Sequence, residues 1–265
     1  MYSRLAGYED TNDAEQLCDD PAMRYVVGDR ARSSSAASTS QMGRFETEIL
    51  TQGGNLKTLM QQPGRWTDRA SQRRLVKAVI LDLDSSVSET YRQQEGSAYN
   101  GHFGCTCYHP LFCFNQHGDL EGASLRNGNV HTADDWRSVL KPVLARYAGR
   151  GMRIFFRGDA GFASPDIYEE LEAGGVRYAI RIKDNPVLER QIEHLLVRPD
   201  FGKDGRPDVP YHDFEYRAAS WGKPRRIVAK VSWFPDSLLP ALGFIVTNLN
   251  WAPQGDALLQ PAGHS

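Results

Sequence analysis

The segment VKAVILDLD, Val76–Asp84, decides the fold. It is a run of β-branched and other apolar residues, short enough to form one strand buried inside a sheet. Because alternate residues of a strand point to the same face, Asp82 and Asp84 share one side, and Leu81 and Leu83 share the other. We therefore expect a buried strand that carries two carboxylates near its carboxyl end.

Strands and helices are expected to alternate after this segment. Apolar runs bounded by turn residues predict four further strands: 105–115, 119–126, Met152–Phe156 and Val176–Ile182. Helical spacing, or a cap residue followed by proline, predicts three helices: Trp136–Tyr147, one from Ser164-Pro165 and one from Asn185-Pro186. Gln116-His117-Gly118 is the expected turn between the first two of these strands. This order is typical of an open α/β sheet.

The two ends of the chain differ from this middle part. Residues 1–75 look helical and polar, and a polar stretch rich in Gly and Pro, 201–210, precedes apolar runs that suggest a separate β unit. The sequence therefore predicts four parts: a helical region at 1–75, an α/β core at 76–198, a β unit at 199–250 and a tail at 251–265.

Composition excludes several classes of protein. The chain has 265 residues, 40% hydrophobic and 24% charged, which excludes wholesale disorder. No apolar run approaches the roughly 20 residues that span a bilayer, and no secretory signal is visible. The net charge of -2 does not indicate a nucleic-acid partner, although a local basic patch would be enough to bind one. Four cysteines are too few for a disulfide framework, so a cytoplasmic location is expected.

Asp84 and Asp159 each end a predicted strand. In open α/β sheets, sites form at the carboxyl ends of strands, so both carboxylates reach one edge if the two strands are neighbours. Two carboxylates there could hold Mg²⁺, which prefers oxygen ligands and keeps several waters for phosphates. A pair of such ions about 3.5–4 Å apart would clamp an in-line displacement at a phosphodiester. The alternative is that each acid is only a turn or cap residue.

Asp82 permits more than one interpretation. It could be a further metal ligand, a hydrogen-bond acceptor behind the ligands, or a partly solvated acid. VILDLDSS (79–86) also resembles the first motif of haloacid-dehalogenase-type phosphatases, in which Asp82 would attack phosphorus and Asp84 would act as acid and base. Three predicted strands in a row argue against that family, which continues with alternating helices and strands.

Two other patterns suggest a ligand. The stretch at 101–119 could bind zinc, but it has no Cys-x-x-Cys pair and buried free cysteines are the simpler interpretation. Its candidate ligands are His102, Cys105, Cys107, His109, Cys113 and His117. Cations interleaved with tryptophan could contact DNA, or could simply be solvated. They form two clusters: Arg65, Trp66, Arg69, Arg73, Arg74 and Lys77, then Trp221, Lys223, Arg225, Arg226, Lys230 and Trp233.

Four stretches together resemble DDE transposases of bacterial insertion sequences, and more narrowly the insertion-sequence group numbered thirteen-eighty. They are LDLDSSVSETYRQQEGSAYNGHFGCTCYHPLF (81–112), GNVHTADDW (128–136), FRGDAGFASPDIYEELEAGG (156–175) and GFIVTNL (243–249). The resemblance covers the chain from about Leu5 to Asn250.

This resemblance implies an RNase-H-like α/β core, a mixed sheet with flanking helices, preceded by a helical region and followed by a β insertion. It places the first catalytic Asp on strand one and the second just after strand four, positions that Asp84 and Asp159 match. It implies that both acids bind Mg²⁺, that the substrate is double-stranded DNA at element ends and target, and that the chemistry is cleavage followed by strand transfer. It leaves homo-oligomer formation open, and it implies no membrane partner.

The chain also departs from the family, whose members begin earlier and continue into a helix with a third carboxylate. We therefore expect a truncated copy with weak or absent catalysis, and a non-catalytic DNA-binding remnant is the alternative. The letters LQPAGHS (259–265) can be encoded by bases that, shifted by one, encode Tyr-Asn-Gln-Arg-Gly, part of the family signature. We expect a frameshift between about Asn250 and Leu259.

Overall fold

The computed structural model describes residues 3, 6–8, 10–71, 76–92, 94–201 and 209–250. The expected frameshift, in the tail at 251–265, and two members of the first basic cluster, Arg73 and Arg74, lie outside the described residues. The chain divides into two compact units, 1–60 and 61–265, and each is described by itself.

The first unit consists of short helices. Side-chain caps begin two of them, because Asp20 accepts a hydrogen bond from the Met23 amide at 2.7 Å and Ser38 forms a capping box with Gln41. In the described part of this unit, Ala31 is the only buried apolar residue. The helices are α1 (Ala14–Leu17), α2 (Pro21–Val27), α3 (Arg30–Ser33), α4 (Thr39–Arg44), a π-helical turn at Phe45–Leu50 and α5 (Gly53–Ser71), which continues into the second unit.

The second unit is a mixed α/β fold, which confirms the predicted class. Its strands are β1 (Ala78–Ser85), β2 (Ser88–Glu89), β3 (Ala98–Asn100), β4 (Cys105–Tyr108), β5 (Leu111–Asn115), β6 (Leu120–Ser124), β7 (Arg153–Gly158), β8 (Arg177–Ile182), β9 (Tyr211–Tyr216), β10 (Arg225–Ser232) and β11 (Ala241–Thr247). Eight of them form one sheet in the order β6-β5-β1-β7-β8-β11-β10-β9. The pairs β1–β7 and β7–β8 are parallel, and the other pairs are antiparallel.

The run 105–115, predicted to be one strand, is two strands in different sheets. β4 belongs to a three-stranded sheet in the order β2-β4-β3, whereas β5 belongs to the large sheet. The break falls at His109 and Pro110, because the His109 amide is bonded to the Arg126 carbonyl at 3.0 Å and proline has no amide hydrogen. The predicted turn after β5 is confirmed, with Gly118 at a φ of 78°.

Two helices of the second unit begin at the predicted cap residues, whereas the helix at Trp136 begins after Asp135 without a side-chain cap. Ser164 accepts a hydrogen bond from the Ile167 amide, and Asn185 accepts from the amides of Val187 and Leu188. Proline occupies the first turn of both helices, where no amide partner is needed. The helices are α6 (Trp136–Tyr147), α7 (Pro165–Ala173) and α8 (Pro186–Gln191), with 3₁₀ turns at Ala160–Phe162 and Glu193–Leu195.

The two faces of the large sheet differ in what they bury. On one face, Leu81 and Leu83 of β1 join a continuous core with α6 and α7. On the other face, Ala78 and Ile80 pack in a much smaller apolar cluster with Phe155. Because alternate residues change face, Asp82 and Asp84 lie on this second side, away from the main core.

The strands after residue 209 extend the large sheet, whereas we expected a separate β unit. β11 pairs antiparallel with β8, with Val246 opposite Ile180, and β10 and β9 follow. Ile227 and Phe244 belong to the same core as β1 and β7. The physical reason is the outer edge of β8, whose backbone groups would otherwise be unpaired.

The buried acid Glu121 connects helices to β6, one of the two edge strands of the large sheet. Glu121 on β6 is fully buried, and its Oε1 accepts hydrogen bonds from Asn115 Nδ2 and the Tyr147 hydroxyl, each at 2.8 Å. Its other oxygen pairs with Arg146, whose guanidinium also lies 3.5 Å from Asp68 of α5. A buried carboxylate with this many donors is compensated, so it specifies how these elements pack.

Glu172, at the end of α7, is a second compensated acid. Burial by itself would raise the pKa of Glu172, but hydrogen bonds from Arg225, Lys223 and Tyr178 outweigh burial and lower the pKa to about 2. Arg225 approaches at 2.8 Å, and the Tyr178 hydroxyl also at 2.8 Å. Because the folded pKa lies below the ordinary value of 4.5, this stabilisation is fully present above about pH 4.5 and is lost as the pH falls toward about 2.

We predict that Glu172→Gln lowers the free energy of unfolding near pH 7 by on the order of 2 kcal/mol, with the deficit shrinking below about pH 4.5. Urea unfolding across this pH range measures it. Glu170→Gln is the matched control on the same helix, since Glu170 makes only surface ion pairs and its loss should cost about 0.5 kcal/mol or less. A Glu172 deficit that stays constant down to pH 2 would contradict this account.

Candidate active site

The register of two neighbouring strands brings Asp84 and Asp159 to the same edge of the sheet. β1 and β7 are parallel, with Asp82 opposite Arg157. Asp84 and Asp159 each stand two residues beyond this last registered pair, Asp84 still within β1 and Asp159 at the cap of the 3₁₀ turn that follows β7. Both acids are exposed. Two acids that lie 75 residues apart along the chain therefore stand at the same edge of the sheet.

Asp159 is held where β7 ends. Its backbone is extended, with φ −76° and ψ −178°, and its Oδ1 accepts a hydrogen bond from the Gly161 amide at 2.8 Å. The 3₁₀ turn that it caps is anchored by Phe162, which is fully buried in the core. This arrangement orients the carboxylate at the edge of the sheet and leaves its second oxygen available to a ligand.

Gly161 allows the backbone to pass close to a supporting loop. A Cβ at Gly161 would lie 2.7 Å from Thr132 Cγ2 and 3.0 Å from Asp159 Oδ1, closer than side chains pack. Thr132 cannot easily move away, because Arg126 Nη1 donates to the carbonyls of Thr132 at 2.9 Å and Asp134 at 2.6 Å. The loop that precedes α6 therefore packs against the turn at Asp159 and supports it.

Asp84 has a different environment. In the part of the chain that the structure describes, its carboxylate has no hydrogen-bond or ion-pair partner. β1 ends one residue later, at Ser85, and the next amide, that of Ser86, donates to the Pro110 carbonyl at 3.1 Å. An exposed, unpaired carboxylate beside a second one is suited to binding a cation.

Asp82 is already engaged. Both of its oxygens accept hydrogen bonds from Arg157, one from Nε and one from Nη2, each at 2.7 Å. The hydrogen bond to Asp82 raises the pKa of Arg157, against the opposing effect of burial. A nucleophilic carboxylate needs a free oxygen, so this pairing does not favour the phosphatase interpretation.

The residues at this edge suit a hard divalent cation. Mg²⁺ usually takes one or two protein carboxylates and completes its shell with water and substrate phosphates. Asp84 and Asp159 offer that number of oxygen donors. Within the described ranges, no group of three or more His, Cys, Asp or Glu side chains is arranged to hold a metal, so no third carboxylate joins them there.

The zinc interpretation finds no support in the described residues. Cys107 and Cys113 are fully buried and lie on strands of different sheets. His109 is also buried, and its Nδ1 makes a hydrogen bond with the Val130 carbonyl at 3.1 Å. These side chains are spread through the interior, as the alternative of buried free cysteines implies.

The second basic cluster is mostly not an open surface. Trp221 and Trp233 are 6% and 3% exposed, and Arg225 is buried against Glu172. In the first cluster, the described residues Arg65, Trp66 and Arg69 are exposed on α5, so a DNA contact there stays a prediction.

Sequence reasoning missed the residues that hold the acids in place. Arg157 stands two positions before Asp159, as Asp82 stands two positions before Asp84. Because alternate residues of a strand share a face, this spacing could have suggested that Arg157 lies on the same face as Asp82. No sequence pattern marked Arg126 or Gly161, because both act through Thr132, and only the folded loop brings them to it.

A family model described as transposase DDE domain, group 1, matches residues 1–261. No curated protein matches the chain. Among the described residues, no helix is both long enough and apolar enough to cross a membrane.

The burial of the thiols yields a prediction that also tests the zinc interpretation. A thiol reagent should modify Cys18 and Cys105 in the folded chain, and Cys107 and Cys113 only after unfolding. Burial raises the pKa of Cys105, with further contributions from Cys107 and Glu89, so Cys105 should react slowly near pH 7. Timed labelling and mass spectrometry measure this, and zinc release during modification would contradict it.

Proposed function

The chain belongs to the transposase DDE domain family, and from this membership we propose that it cleaves and joins DNA with Asp84 and Asp159 as metal-binding catalytic residues. The family implies that the chain binds DNA, and its members normally use a divalent metal ion. The observation that carries the residue assignment is the parallel register of β1 and β7, which supports a shared site for these two acids.

We propose further that the second unit contains an RNase-H-like core. In such a core the first acid lies on the first strand and the second just after the fourth. In the large sheet, β1 is first and β7 is fourth in chain order, after β5 and β6. In this proposal residues 76–198 are the core, and 199–250, which include β9 to β11, are the β insertion. The four quoted stretches support membership of the insertion-sequence group numbered thirteen-eighty.

The roles of the residues follow from their surroundings. Asp84 and Asp159 would hold Mg²⁺, with Asp159 oriented by the Gly161 amide. The bound ion would supply positive charge at the oxygens that attack and leave the phosphorus. Asp84 needs no rearrangement to take part, because its carboxylate is exposed and has no partner among the described residues.

Cations beside the acids support a polyanionic substrate. β7 and β8 pair Gly158 with Ile180, and Asp159 and Arg181 are the next residues along from this pair. Arg181 and Lys183 are both exposed at this edge. A phosphate backbone that crosses the edge would therefore contact cations next to the carboxylates, which suits phosphate contacts that position DNA.

Because no third carboxylate joins Asp84 and Asp159 among the described residues, we predict that the full chain cleaves plasmid DNA carrying the ends of its own element only weakly when MgCl₂ is present, and that Asp84→Asn and Asp159→Asn each slow this cleavage a further hundredfold or so, or about 2.7 kcal/mol. The ends are read from the genomic DNA that flanks the reading frame. Gel analysis of the cleaved strands measures the rate. Asp166→Asn is the control, because it removes an exposed acid of α7 that pairs only at the surface.

Cleavage by both variants at the wild-type rate would refute the assignment of the two acids. DNA binding without any Mg²⁺-dependent cleavage would refute the catalytic proposal and favour a role limited to binding DNA. Hydrolysis of a small phosphomonoester that is lost in Asp82→Ala would instead support the phosphatase alternative.

A further inference from the structure

Arg157 and Asp82 form an ion pair two residues before the two proposed catalytic acids along β1 and β7. They face each other across β1 and β7, in the register that the two backbones share. Arg157 donates from Nε and from Nη2 to the two oxygens of Asp82, each at 2.7 Å. Each side chain is 23% exposed, so the pair is partly shielded from water.

The pair and the acids lie on the same face of the sheet, at successive side-chain positions along the two strands. Asp84 follows Asp82 by two residues, and Asp159 follows Arg157 by two residues, so both steps preserve the face. Each step is about 7 Å along the strand. The ion pair therefore joins β1 to β7 one side-chain position before the place where the carboxylates must meet.

We propose that Arg157 and Asp82 are a positioning pair for the metal site formed by Asp84 and Asp159. The pair holds the two strands in step and neutralises Asp82, so that the ion binds the two exposed acids without a competing carboxylate. This inference rests on the function proposed above for Asp84 and Asp159.

Two physical effects make this arrangement specific. A bidentate guanidinium–carboxylate contact fixes distance and plane together, which a single lysine contact does not. A slip of one residue between β1 and β7 would turn the two acids to opposite faces. The pair also balances charge: an unpaired Asp82 would attract a cation toward the wrong ligand, and an unpaired Arg157 would repel a cation from the site.

The alternative is that this is an ordinary cross-strand pair that contributes only to stability. The same sheet contains a comparison pair, Asp213 of β9 with Arg226 of β10, which lie diagonally across the two strands and make a single contact at 3.0 Å. It lies at the far edge of the sheet, with three strands between β9 and β7. Removing it should change stability without affecting the proposed metal site.

The test measures Mn²⁺ binding to the full-length chain, without DNA, by electron paramagnetic resonance titration with MnCl₂. Asp82→Asn leaves Arg157 unpaired and should weaken Mn²⁺ binding about threefold or more, whereas Arg157→Gln leaves Asp82 unpaired and should tighten it by a similar factor. Mg²⁺-dependent DNA cleavage should fall about tenfold or more in both. The exchanged pair Asp82→Arg/Arg157→Asp should return Mn²⁺ affinity to within about twofold of wild type.

Opposite shifts in the two single variants are the decisive result, because a general loss of structure would move both affinities in the same direction. Unchanged affinity in both, or shifts of the same sign, would overturn the proposal. Circular dichroism confirms that each variant is folded. Should Asp82→Asn not fold, Arg157→Lys decides: it keeps the charge without the two-point contact, so Mn²⁺ affinity near wild type with slower cleavage is expected, and wild-type cleavage would overturn the proposal.

Two further variants separate this inference from the function on which it rests. Asp213→Asn should leave Mn²⁺ affinity unchanged, and a shift like that of Asp82→Asn would overturn the specific role of the pair. Asp84→Asn should abolish Mn²⁺ binding. Retained binding in Asp84→Asn would remove the proposed metal site itself and the positioning role with it, whereas loss there without opposite shifts in the pair variants overturns only the positioning role.

Discussion

The parallel pairing of β1 with β7 is the constraint on which the rest of the second unit depends. It places a strand with a buried Leu81 and Leu83 inside the sheet, between an antiparallel and a parallel neighbour. The same pairing determines which side chains share the carboxyl edge. One set of backbone hydrogen bonds therefore organises both the core on one face and the acids on the other.

The acidic side chains of this protein differ in whether the fold supplies them with a partner. Glu121 is compensated by several donors, as its complete burial requires, and the partly buried Glu172 and Asp82 are paired with arginine. Asp84 is exposed and has no partner among the described residues, although it is only two positions beyond Asp82. The function that we propose would explain this contrast, because two carboxylates at an open edge suit a metal ion that also contacts DNA.

Local chemistry predicted much of the middle of the fold. The cap residues Ser164 and Asn185 begin their helices as expected, and Gly118 lies in the expected turn. The prediction failed where pairing partners decided the outcome. Residues 105–115 divide between two sheets at Pro110, and the strands after residue 209 join the large sheet because the edge of β8 accepts them. Neither result is visible in the period of the apolar residues alone.

For the site, local residue patterns were enough to predict that Asp84 and Asp159 stand near the ends of apolar strands, since strand type and face follow from residues close together in the chain. Only the tertiary structure decided that β1 and β7 are neighbours in register, that Arg157 pairs with Asp82, and that Arg126 holds the loop behind Gly161. The physical reason is that strand pairing and buried ion pairs join residues far apart along the chain. Their free energy depends on which surfaces are buried together, and no local pattern specifies that.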